Sequence, residues 1–246
     1  MAPVVARHLT RPTHSIDMAP PRHLIAGQGS EQVLVFLPGF MTPVAAYRDL
    51  LTPLAIGGVE VHLPQLYRPG LRALAGSPTV QEEAQQAALL VSQLAASGRP
   101  VWLAGHSRGG QAAWRAAELT RVSGLILVDP VDGAGRTTQA TTTSRPPSFS
   151  LTPLVIGAGM SGPCNPTEVG HRRFAAVSDC QHLAISECGH GDMLSGLSRV
   201  AARALCRGGP DPVAARQTTT HLLQLAMAGR LTPTTTRALP LPVEWL

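Results

Sequence analysis

The chain has 246 residues, 44% hydrophobic and 14% charged, with a formal charge of +5. That length suits one α/β domain, which runs to about 250 residues, and the apolar content excludes intrinsic disorder as the main state. No apolar run reaches the roughly 18–20 residues that cross a bilayer, the longest clear one being Val33-Leu34-Val35-Phe36-Leu37.

All 20 basic residues are arginine, which excludes a Schiff-base lysine and a P-loop lysine alike. The arginines are scattered, with Arg172-Arg173 the only adjacent pair, so no nucleic-acid partner is expected. Arg, His, Pro and Thr interrupt the first residues, which therefore do not read as a signal peptide. The expectation is a soluble protein, cytoplasmic or associated with a plastid. Its four cysteines, Cys164, Cys180, Cys188 and Cys206, include no CxxC pair, so neither a zinc site nor a redox motif is indicated. Most read as buried thiols, with Cys164 and Cys180 the candidates for a bridge in an oxidising compartment.

After a lead-in over residues 1–30, Gln32 to Leu37 reads as a buried strand that stops at Pro38-Gly39. Gly58 to Leu63 gives a second strand, and 68–78 interrupts the rhythm. Thr79 and Glu82 then form a capping box, and Val80, Ala84, Ala87, Val91 and Leu94 follow at helical spacing until Gly98. Val101 to Ala104 is the next strand, Gly110 to Thr120 the next helix and Leu125 to Val128 the next strand. Residues 133–152, rich in Gly, Thr, Ser and Pro, are expected to loop over a site. Strands at Leu154–Ile156 and Leu183–Ile185 flank a short helix around Pro166–Ala176. Asp211-Pro212 opens a final helix that buries Leu222 and Leu225 and ends at Gly229, leaving 230–246 as a tail. Continuously apolar strands alternating with helices predict one α/β domain, a mostly parallel sheet with helices on both faces.

Gly105-His106-Ser107-Arg108-Gly109 lies between a strand and a helix, the setting that a GxSxG nucleophile elbow requires. Flanking glycines let the chain turn sharply and expose the Ser107 hydroxyl beside a helix N-terminus, where negative charge is stabilised. A hydroxyl is a weak nucleophile at neutral pH and needs a base, which follows an acid in this chain order. Of His171, His182, His190 and His221, the candidate is His190, set between glycines just past a strand. The strand Leu154–Ile156 runs into a segment without a carboxylate, so the acid is assigned to Asp129, the first residue beyond Leu125–Val128, with Asp132 in reserve. Two backbone amides would hold the oxyanion: that of Arg108, and that of Phe40 or Met41 after the first clear strand, whose side chains are also suited to the floor of an apolar pocket.

Gly105–Gly110, Leu127-Val128-Asp129-Pro130-Val131-Asp132-Gly133, Pro163-Cys164 with Val169, His171, Phe174 and Cys180, and Gly189-His190-Gly191-Asp192-Met193-Leu194 together resemble the chlorophyllase family. The segment Gln32–Tyr67, with Pro64-Gln65-Leu66-Tyr67, is similar too, and the matches run in family order from about residue 18 to residue 205. Within them Pro38 stands where the family has His, Asn165 and Gly170 stand where it has Ala and Asn, and Gly191 replaces a larger residue. The resemblance implies an α/β-hydrolase fold and hydrolysis of the ester that joins phytol to chlorophyll, with Ser107, Asp129 and His190 as the triad. It implies no cofactor or metal for the enzyme, since the magnesium belongs to the substrate, and it makes a pigment-bearing membrane a candidate peripheral contact. The rivals are a general lipase or polyester esterase with the same triad, and a non-catalytic pigment or lipid binder.

Overall fold

The computed structural model describes residues 22–24, 31–66, 70–133, 152–176 and 179–246. In chain order these form β1 (Arg22–Leu24), β2 (Gln32–Leu37), α1 (Arg48–Ile56), β3 (Val59–Leu63), α2 (Val80–Ala95), β4 (Val101–His106), α3 (Arg108–Leu119) and β5 (Gly124–Val128). There follow β6 (Leu154–Met160), α4 (His171–Ala176), β7 (Gln181–Gly189), α5 (Gly196–Leu205), α6 (Pro212–Met227), α7 (Pro233–Thr236) and β8 (Val243–Trp245). The strands make one sheet in the order β1-β3-β2-β4-β5-β6-β7-β8. Strands β2 to β7 are mutually parallel, and β1 and β8 pair antiparallel at the two edges.

Alternate side chains of a strand point to opposite faces, so a strand covered on both sides is apolar throughout. Leu34 and Phe36 of β2, with Val61, Ile126, Val128 and Ile156, pack under α1 and α6. Val33, Val35 and Leu37, with Leu103, Leu125 and Leu127, pack under α2 and α3 on the other face. The α2 capping box is present as read, Thr79 accepting from Glu82 N–H and Glu82 from Thr79 N–H. At α6, Asp211 accepts from Val213 and Ala214 N–H at 3.0 and 2.9 Å.

Register brings the functional candidates to one edge. Leu37 pairs with Gly105, Gly105 with Leu127, and His106 with Val128, which in turn pairs with Ile156. Residues 38, 107 and 129 therefore leave neighbouring parallel strands at the same carboxyl-terminal edge, where open α/β sheets bind ligands.

The fold departs from the sequence reading in several places, and the lead-in over residues 1–30 carries β1, which pairs with β3. Residues 230–246 are no simple tail: they carry α7 and β8, and β8 completes the sheet against β7. Two helices were not anticipated. In α1, Pro53 sits inside the helix and obscures its pattern, and α5 is short and alanine-rich. Cys164 is bonded to Cys206, not to Cys180. Cys180 precedes Gln181, which pairs with the first residue of β6, whereas Cys164 lies beyond its last. The seven residues of β6 span roughly 20 Å, far too great a distance for a Cys164–Cys180 bridge. The proposed loop over the site, 133–152, falls mostly outside the described residues.

Candidate active site

Ser107 is the single residue between β4 and α3, with φ 56° and ψ −126°. Such a turn needs the neighbouring backbone very close. A Cβ on Gly105 would lie 2.2 Å from the Gly109 carbonyl oxygen, and one on Gly109 would lie 2.2 Å from that of Leu37. Among the described residues, the non-glycine positions with positive φ are Met41, Ser107 and Asp129. All three were singled out from the sequence as site residues, and left-handed backbone at non-glycine positions concentrates where function over-determines geometry.

Ser107 Oγ lies 3.0 Å from His190 Nε2, and His190 Nδ1 lies 2.6 Å from Asp129 Oδ2. A buried carboxylate can only accept here, so Nδ1 carries the proton and bare Nε2 accepts from the serine hydroxyl. Asp129 is fully buried and also accepts from Ala158 N–H on Oδ1 at 3.0 Å and from Asn165 Nδ2 on Oδ2 at 2.9 Å. Burial alone would raise its pKa, but the hydrogen bond and charge of His190, followed by His171 and the Ala158 amide, outweigh it and hold the carboxyl below its ordinary value. Asp129 is thus fixed as an anion.

His190 opens a 3-10 turn, His190–Met193, directly after β7. Asp192 Oδ2 accepts from Gly189 and Gly209 N–H at 2.7 and 2.6 Å, and Arg216 Nη1 donates to the Asp192 and Leu194 carbonyls, so the turn is braced from two sides. A third brace is His106, inside the elbow motif. Its Nε2 donates to the His190 carbonyl at 3.1 Å, which leaves Nδ1 bare to accept from the Tyr47 hydroxyl at 2.7 Å. That hydroxyl accepts from Gly39 N–H at 2.8 Å. One chain of hydrogen bonds therefore links the loop after β2 to the backbone of the candidate base.

Burial and the neighbouring His190 lower the pKa of His106 to about 3 from 6.5. Below pH 6.5 the unfolded chain takes up a proton that this imidazole refuses in the folded state, so its stabilisation is complete above that pH and is lost as pH falls toward 3. We expect urea unfolding to show about 3 kcal/mol lost between pH 6.5 and pH 4 from this residue, and His106→Gln to flatten the pH slope although it is less stable at neutral pH. An unchanged slope in His106→Gln would refute the assignment.

The loop with Phe40 and Met41 abuts Ser107: a Cβ on Gly39 would sit 3.2 Å from Ser107 Cβ. The Phe40 ring lies under the Arg108 guanidinium, 5.1 Å from its centroid. Arg108 in turn pairs with buried Glu83 at 2.9 Å and donates to the Pro78 carbonyl, tying the elbow to α2. Asp132, the reserve acid, is directed elsewhere: it accepts from Gln111 Nε2 at 2.6 Å and from Arg173 Nε at 3.2 Å, bracing α3 against α4. His171 and His182 bond each other at 2.7 Å. Sequence reasoning gave no role to Tyr47 or Asn165. Nothing local marks Tyr47, whereas Asn165 was visible as a departure from the family pattern.

A sheet of this order with a sharp GxSxG turn after its fourth strand has the α/β-hydrolase fold. The structure of a ferulic acid esterase from Streptomyces cinnamoneus superposes with a TM-score of 0.60, over 87% of this chain and 73% of that one at 18% identity, and shares the fold. Residues 4–228 match the chlorophyllase family profile, and the chain belongs to that family. It is a carboxylic-ester hydrolase. Chlorophyllase-2 of Arabidopsis thaliana is 29% identical over 244 residues, covering 81% of this chain and 74% of the relative. Chlorophyllase-1 of the same plant is 32% identical over 215 residues, covering 74% of this chain and 66% of the relative.

Proposed function

We propose that the protein cleaves the phytyl ester of chlorophyll, or of a closely related pigment, through an acyl-enzyme on Ser107. The hydrogen-bonded series Ser107–His190–Asp129 at a strained turn carries the mechanism, and the family carries the substrate. His190 Nε2 takes the hydroxyl proton as Ser107 Oγ attacks the ester carbonyl carbon, and Asp129 stabilises the imidazolium. Negative charge on the former carbonyl oxygen is met by the amide of Arg108 and that of Phe40 or Met41. His190 then returns its proton to the departing alkoxide of phytol. Water, deprotonated by the same nitrogen, releases the pigment acid and restores Ser107.

The test is a comparison of kcat/KM on detergent-dispersed chlorophyll and on a soluble butyrate ester. A clear preference for chlorophyll is expected, because each buried methylene of phytol contributes roughly 0.8 kcal/mol to binding. Comparable efficiency on the short ester with no turnover of chlorophyll would make the protein a general esterase.

Asn165 belongs to this reading as a positioning residue, since it touches Asp129 and not the reacting atoms. A hydrogen bond to a buried anion contributes about 1.5–3 kcal/mol, so Asn165→Ala is expected to lower kcat about tenfold with little change in KM. Its Oδ1 also accepts from Gly162 N–H at 2.9 Å, and Asn165→Gln should not restore both contacts. An unaltered kcat in folded Asn165→Ala would remove it from the mechanism.

A further inference from the structure

Helix α5 presents its apolar stripe to solvent. Leu197, Val200, Ala201, Ala204 and Leu205 recur at the i, i+3, i+4, i+7, i+8 spacing that normally faces a core. Yet Leu197 is 88% exposed, Val200 59% and Leu205 71%, and no residue of the helix is buried. The opposite side holds it to the protein. A Cβ on Gly191 would meet Ala202 Cβ at 2.8 Å, and Cys206, at the helix end, is bonded to Cys164. The exposed stripe is therefore clamped beside the turn that carries His190.

Exposed Arg203 borders the stripe one turn on from Val200, and exposed Arg207 follows the helix. A second exposed apolar pair, Leu71 and Leu74, lies in the 3-10 segment Gly70–Ala75. That segment starts at the other side of the site, where Gly70 N–H donates to the Met41 carbonyl at 2.8 Å. Exposed apolar side chains thus leave from both loops that frame Ser107.

We propose that α5 docks the enzyme on a lipid bilayer bearing anionic headgroups, with Leu197, Val200 and Leu205 in the acyl boundary and the arginines at the level of the phosphates. Apolar residues accompanied by Arg203 and Arg207 fit a bilayer interface, where arginine stems lie along the apolar zone and their heads reach the headgroups. The docking deepens the reading above, since it would bring the Ser107 mouth to an ester dissolved in lipid, but binding to lipid is measured without turnover.

Flotation of the purified full chain with phosphatidylcholine vesicles, with and without phosphatidylglycerol, tests the proposal. The wild type and Ser107→Ala should float with the anionic vesicles alike, so lipid binding and the triad stand or fall separately. The triple variant Leu197→Ser, Val200→Ser, Leu205→Ser should lose roughly tenfold or more in bound fraction. Arg203→Gln with Arg207→Gln should lose the preference for anionic over neutral vesicles. Turnover of a soluble butyrate ester should stay within about twofold in both, which also reports intact folding. Wild-type protein that floats with neither vesicle, or a triple variant that floats as well as wild type, would overturn the proposal. So would light scattering that shows a wild-type dimer which the triple variant abolishes without any vesicle binding.

Discussion

Ser107→Ala is expected to reduce ester hydrolysis by a factor on the order of 10⁴ to 10⁶ and to leave the fold intact. The group that would be removed is one hydroxyl, which bonds His190 Nε2 at 3.0 Å at the edge of the sheet and not in its core. Alanine keeps the β-carbon already accommodated at φ 56°, so the strain of the turn is unchanged. Purified variant protein assayed on chlorophyll and on a butyrate ester, with circular dichroism to verify folding, gives the answer. Retention of a tenth of wild-type turnover would show that Ser107 is not the nucleophile.

The second large effect concerns the acid. Asparagine at position 129 matches the carboxylate in shape, but one of its two positions must be an NH₂ group. If the amide oxygen faces the Ala158 N–H, the NH₂ group points at His190 Nδ1 and Asn165 Nδ2, both of which donate in the wild type. His190 would then have to move its proton to Nε2, and Ser107 would lose its base. The reverse orientation sets the NH₂ group against the Ala158 amide and still removes the charge that stabilises the imidazolium. Asp129→Asn is therefore expected to lose at least a thousandfold in kcat at pH 7–8, as loss of the correct tautomer does where triads have been dissected. Asp132→Asn is expected to lose less than tenfold, with a stability cost of roughly 1–2 kcal/mol from its contacts to Gln111 and Arg173. The reverse ranking in folded variants would transfer the role to Asp132.

The parallel core and the elbow were legible because both are local signals. Val33–Leu37, Val101–Ala104 and Leu125–Val128 are short runs with nothing polar inside, and Gly105 and Gly109 mark a turn in which a β-carbon would clash. Asp129 could be placed by counting from the end of its strand. Contacts that only the folded chain creates were not legible. Tyr47 meets His106 across 59 residues, and Asn165 meets Asp129 across 36. The partner of Cys164 depended on which end of β6 each cysteine occupies, and helix α5 fell below notice because its periodic positions include two alanines.

Strand β8 has a consequence for handling the protein. Its three residues cover the outer side of β7 through the pairs Leu183–Trp245, Ala184–Glu244 and Ile185–Val243, and Leu246 N–H donates to the His182 carbonyl at 2.9 Å. Trp245 anchors the segment through Nε1 to Thr236 Oγ1 at 3.1 Å. A protease that trimmed the last few residues would uncover a row of unsatisfied amides and carbonyls on a nine-residue strand, a template on which another chain can pair. Clouding and aggregation, rather than a slower enzyme, would be the first sign of a nick at this strand.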